Sequence, residues 1–323
     1  MPINTNFKFR QEHVGVSATT FSGEDFLGLL RGLVGDEPNG NPQRTWKGSG
    51  FNMIWRPNFN NTSGSSQHFL QLNMTNETLS FTDVSGPTGI ANRGLLQDDI
   101  FLGGVAYLQT IEDSFDNSGQ HFEPGLFINV PETVNPAEPP TVGRMGSIPH
   151  GTTINMQGTA LTAPQPIIDP VSITPFRIGD PTALVPFPEE DLSITLDSRT
   201  PLVRVAGLTQ AHLTNPNLFL SDALHGQTIT STTAILLSTD SGPPGGIDVG
   251  GGADNIAFLA GKGVPPTGGP NAVAPKVTAI FWIEEGIDAY GAPLLQLQYT
   301  QTVLLDFNGL SWPHVTVATL KPV

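Results

Sequence analysis

Between residues 46 and 320 the chain returns again and again to one pattern. Short segments rich in β-branched and aromatic side chains alternate apolar with polar residues. Segment 294–307 is the longest instance, with Leu295, Leu297, Tyr299, Val303 and Leu305 on one face and Gln296, Gln298, Thr300 and Thr302 on the other. A period of two is the signature of a strand, whose successive side chains point to opposite sides. The same reading gives strands at 46–55, 68–72, 78–82, 104–111, 121–130, 141–148, 152–159, 171–176, 192–196, 228–238, 277–285 and 314–320. Strands that follow one another without crossover helices pair antiparallel, so the chain is expected to be all-β and to close as a barrel or stack as a sandwich.

Composition supports this. Charged residues make up 13% of the chain, against about 25% in an average domain, while Gly and Pro number 36 and 29. Turns and long loops absorb such residues; helical bundles do not. One helix is nevertheless marked near the amino end. Ser22 stands as a cap, Glu24 and Asp25 fall in the first turn, Phe26, Leu29, Leu30 and Leu33 form a stripe, and Gly35 stops it. A weaker helical patch spans 209–224, broken at Asn215-Pro216. Residues 131–140, 162–188 and 240–275 read as loops, and no repeat is visible. The expectation is one domain over 1–323, with insertions near 162–188 and 240–275.

Several functions are disfavoured at once. With 14 basic against 29 acidic side chains, the net charge is −15, and no basic run exists to replace the counterions of a nucleic acid or to meet an anionic membrane face. No cysteine is present for a disulfide, a thiolate metal site or a thiol nucleophile. Residues 1–15 lack the apolar core of a secretory signal and no stretch is long enough for a membrane helix, so a cytoplasmic location is expected. The glycine-rich stretch 245–252 lacks the Lys-Ser/Thr of a phosphate loop, and there is no Gly-x-Ser-x-Gly elbow. Asp240, Asp248 and Asp254 do not have EF-hand spacing, and Glu284 and Glu285, adjacent on a strand, face opposite ways and cannot serve one site. The sequons at Asn60, Asn61, Asn73 and Asn76 matter only in a secreted chain.

Among seven histidines none has His-Glu-x-x-His spacing, but three have distinctive surroundings. His314 opens the last strand, where alternation puts Trp312, His314, Thr316, Ala318 and Leu320 on one face; a neutral imidazole above small residues suits haem iron, and a rim histidine held by a hydrogen bond is the plainer alternative. His150 sits between Pro149 and Gly151 in a turn, where it either faces water or lines a cavity mouth as a proton carrier. His121 begins a strand with Glu123 two residues on, a spacing at which the carboxylate can orient the imidazole. Arg144, if it faces inward, must meet a carboxylate of the protein or of a ligand.

Four segments, in order, carry a resemblance. Thr-Trp-Lys-Gly-Ser-Gly-Phe-Asn-Met-Ile-Trp-Arg-Pro at 45–57, preceded by the helix, resembles the opening of calycin barrels. His-Phe-Glu-Pro-Gly-Leu-Phe at 121–127, Pro-His-Gly-Thr-Thr-Ile-Asn-Met-Gln-Gly-Thr at 149–159 and Trp-Pro-His-Val-Thr-Val-Ala-Thr-Leu-Lys at 312–321 are similar to strands of nitrobindin-like haem barrels. The resemblance implies an antiparallel barrel with haem in its mouth. It makes His314 the iron ligand, places Trp312 beside it, makes Arg144 a propionate partner, and makes His150 and His121 distal or catalytic candidates. Activity on peroxide, nitric oxide or peroxynitrite would follow. Two alternatives remain open: a cofactor-free barrel holding an apolar small molecule such as a lipid, terpenoid or pigment, and a metal-free isomerase or cyclase using His150 or Glu123 as base. The expected partner is a small molecule, with neither nucleic acid nor membrane, and a homo-oligomer is allowed.

Overall fold

Eleven of the alternating segments fall in the ten strands that are the walls of one closed barrel. The strands are β1 (Gln43–Pro57), β2 (His68–Asp83), β3 (Ile100–Asp113), β4 (Gly119–Val130), β5 (Thr141–Ile148), β6 (Thr152–Ala163), β7 (Thr228–Ser238), β8 (Val273–Ile287), β9 (Pro293–Phe307) and β10 (Leu310–Pro322). Each pairs antiparallel with the next, and β10 returns to β1 through nine residue pairs, from His314 opposite Ile54 to Pro322 opposite Trp46. The computed structural model describes residues 19–20, 23–35, 43–59, 67–86, 88–135, 137–240, 251–261 and 270–323. Ser22, Asp248, His13 and the sequons at Asn60 and Asn61 lie outside the described residues, as do the side chains of Glu24 and Asp25.

Alternation decides what fills the barrel. Along β1 the even-numbered residues face in, from Trp46 to Arg56, and Phe51, Met53 and Trp55 face out. Helix α1 (Gly23–Val34) closes one end: Phe26, Leu30 and Leu33 are buried against Trp46, Leu79, Phe81 and Val105, and Trp46 Nε1 donates to the Leu33 carbonyl at 2.9 Å. Gly35 ends the helix at φ +74°, its N–H donating to the Arg31 carbonyl.

The outward residues of β1, β2, β8, β9 and β10 are not wet. Residues 164–227 lie over them, with Ile173, Val205, Leu213 and Leu220 completing a second apolar cluster around Trp55, Trp282 and Trp312. The insertion expected near 162–188 therefore extends to 227. Within it, 171–176 and 192–196 are not strands; two short strands, Phe176–Arg177 and Asp180–Leu184, hang from β10 instead. The helical patch resolves into α2 (Gln210–Thr214) and α3 (Leu218–Ala223), separated where Pro216 interrupts. This cover explains the polar outer face of β9. Gln298 Nε2 donates to the Leu220 carbonyl and Thr300 Oγ1 to Asn217 Oδ1, so the polar groups anchor α3 rather than meet water.

Candidate functional site

At the end opposite α1 the inward side chains stop short of filling the barrel. A cavity of about 370 Å³ remains, within the range that takes a small-molecule ligand. Its walls are mostly apolar, with Ile54, Ile111, Ile148, Val303 and Leu305 from four strands; Leu259, from α4 (Ala257–Ala260), adds to them. The segment carrying α4 is pinned to the rim, because Gly252–Asn255 pairs with β6 and the Ile256 N–H donates to the Gly151 carbonyl.

His314, His121 and His150 all line this cavity. His314 stands on β10 and His121 on β4, four strands apart round one side of the barrel and six round the other, so the two rings face across the opening. The His314 Nε2 lies 2.7 Å from Asn52 Oδ1, which also accepts from Thr316 Oγ1 at 2.9 Å. A carbonyl oxygen only accepts, so Nε2 carries the ring's proton and Nδ1 its lone pair. Burial, then the neighbouring His121 and His150, push the His314 pKa down to about 3, so the ring is neutral at any ordinary pH.

His121 is oriented as its spacing predicts. Its Nε2 donates to Glu123 Oε2 at 3.0 Å, and its ring stacks on His150 with centroids 5.7 Å apart. His150 is held at the β5–β6 turn by Gly151, whose φ is +115°. Its pKa is lowered by burial and by His121, against a hydrogen bond to the Gln120 backbone.

Below the cavity runs a polar layer. Glu123, fully buried, accepts from Arg144 Nη2 at 2.8 Å and from the Tyr107 hydroxyl. Burial alone would raise its pKa, but Arg144 and the hydrogen bonds from His121 and Tyr107 outweigh it and hold the carboxylate at about 2. Room for this cluster comes from Gly146, where a Cβ would lie 2.3 Å from Glu123 Oε1. Gln301, which lines the cavity, accepts from Arg144 Nη1 at 2.6 Å. Tyr299, also in the wall, accepts from Gln109 Nε2 at 2.8 Å and donates to Glu77, whose pKa burial raises to about 7.

Two expectations need correction. Arg144 faces inward but does not line the cavity: Glu123, Tyr107 and Gln301 engage its fork, and it is 1% exposed, so it is not placed to meet a propionate. Trp312 does not join His314 either. It stacks on Phe307 at 4.8 Å and on Phe187 at 5.0 Å, and its Nε1 donates to the Phe307 carbonyl. The tip of the β9–β10 hairpin leans onto the outer cluster, so strict alternation ends at Pro313. Glu284 is buried against Gln296, and Glu285 is exposed on the other side, as adjacency requires. Asn52, Arg56, Gln109, Tyr299 and Gln301 were not foreseen as cavity residues. Continuing the alternation from Trp46 would have placed the first two inside.

The residues present meet the needs of a haem: an imidazole with an available lone pair, apolar walls and polar groups at the rim. Among the described residues no three His, Asp or Glu side chains are grouped to hold a bare metal ion. Nδ1 of His314 could hold a haem with the Asn52 contact intact, whereas Nε2 would have to give that contact up.

No protein-family model matches the chain, and no curated protein matches it. The crystal structure of Rv2717c from M. tuberculosis is similar to it at 14% sequence identity and a TM-score of 0.39, over 92% of this chain and 96% of that one. Among the described residues no helix is long and apolar enough to cross a membrane.

Proposed function

We propose that the cavity binds haem through His314. What carries the reading is a half-buried, neutral imidazole lining an apolar hollow, with a carboxylate-held imidazole across from it. Bound iron would supply a site for diatomic ligands or for reaction with peroxide. The chain's own contribution is separate. Asn52 sets the His314 tautomer, Ile111, Val303 and Leu305 exclude water, and Glu123 orients the His121 ring at the cavity. The test is a haemin titration of the purified protein. A Soret band should appear, shift in position on binding, and weaken at least tenfold in apparent affinity in His314→Ala. Equal uptake by the variant overturns the assignment.

A second reading has its own support. The Asn52 contact already satisfies His314 Nε2 without a metal, and an apolar cavity of about 370 Å³ is a site for a lipid-like or terpenoid molecule in its own right. On that reading an apolar fluorophore binds wild type and His314→Ala alike, and haemin binds neither.

A further inference from the structure

Among the described residues, the cavity wall contains a cation that pairs with no acid. Arg56, near the carboxyl end of β1, faces inward with Ile54 and Asn52 and lines the opening. Its Nε donates to Gln71 Oε1 at 3.0 Å, and its guanidinium carbon lies 4.5 Å over the Phe69 ring. Gln71 is itself fixed, donating to Asn73 Oδ1 and Gln120 Oε1. The guanidinium is thus positioned by neutral groups alone, and among the described residues it makes no ion pair. Arg31, Arg93, Arg144 and Arg204 each meet a carboxylate; Arg44, Arg177 and Arg199, like Arg56, make no ion pair among the described residues, but of these four only Arg56 lines the cavity. A half-buried cation left without a counterion on the wall of a ligand-sized cavity calls for one from the ligand.

We infer that Arg56 is an anion subsite and that the natural ligand is an amphipathic carboxylate, its apolar body in the cavity and its carboxylate on the Nη groups of Arg56. This deepens the function proposed above by naming the ligand class, and haem, with its propionates, is one member. The inference does not depend on iron: a fatty-acid-like molecule presents the same head and body. The Phe69 ring behind the guanidinium and the Gln71 bond at Nε leave the Nη edge to make paired hydrogen bonds with a carboxylate.

The experiment uses matched acid and ester probes on the full chain: dansylaminoundecanoic acid with its methyl ester, and haemin with its dimethyl ester. Wild type should bind each acid about 10- to 100-fold more tightly than its ester, the range expected when charge-assisted hydrogen bonds are present in one ligand and absent from the other. In Arg56→Gln the acid should fall to the ester's affinity while the ester is unchanged. Arg56→Lys, retaining charge but not the fork, should fall between. Equal binding of acid and ester by wild type overturns the inference, as does an equal loss of both in Arg56→Gln. If that variant does not fold, the wild-type comparison alone decides. The two proposals fail separately. Loss of haemin binding with the dansyl acid still preferred removes haem and leaves the carboxylate site; a Soret band with no preference for acids does the reverse.

Discussion

Glu77 is buried, accepting from the Tyr299 hydroxyl and from Thr75 Oγ1 at 2.8 Å. Because burial raises its pKa from 4.5 to about 7, the folded protein keeps the proton over a range in which the unfolded chain has released it. Stability therefore falls as pH rises from about 4.5 to about 7, and Glu284, raised likewise, adds to the slope. Glu77→Gln removes the titration but puts an amide nitrogen, which only donates, where a carboxyl oxygen accepted from Tyr299 or Thr75. On top of that constant cost, its stability relative to wild type should rise by up to about 3 kcal/mol between pH 4.5 and pH 8, read from urea unfolding. A gap that does not change with pH would show that Glu77 is ionised in the fold. His314 acts in the other direction: with its pKa held near 3, stability associated with it is lost as pH falls below the ordinary histidine value of 6.5. These residues also mark what a sequence can disclose. His121, His150 and His314 stood out from their neighbours, and all three line the cavity. Asn52 did not, because its partner is 262 positions away and only the closure of the barrel brings them together. Arg56 was passed over because an arginine at a strand end ordinarily faces solvent.

At the scale of the element, the helix at the amino end was readable from its stripe and its terminal glycine, and strands 141–148 and 228–238 have the bounds that alternation predicted. The segments 68–72 and 78–82 proved to be one strand, because Asn73, Thr75 and Glu77, polar residues that seemed to interrupt it, face the interior polar layer. Segments 171–176 and 192–196 misled because β-branched and apolar residues there serve a cover rather than a sheet. Leu30 tests the plug formed by α1. It is completely buried among Phe26, Leu33 and the barrel's apolar end, far along the strands from the cavity. Leu30→Ala should cost about 2–5 kcal/mol in unfolding free energy while leaving probe affinity unchanged. A variant of normal stability would mean that the helix merely rests on the barrel.

For the whole molecule the governing feature is closure between β1 and β10. A sheet of this width left open would expose two edges to other chains; joined, it exposes none. Such long-range pairing is slow to find, so refolding from urea should take milliseconds to seconds or longer, and a chain ending before residue 310 should sediment as aggregate because both edges stay bare. A soluble monomer from that truncation would show that the seam is dispensable. There is also a consequence for the order of events in the cell. Translation adds His314 after the other nine staves, so the vessel has neither its final wall nor this imidazole until then. Any ligand of the cavity would therefore enter a barrel already closed, through the end that α1 does not stopper.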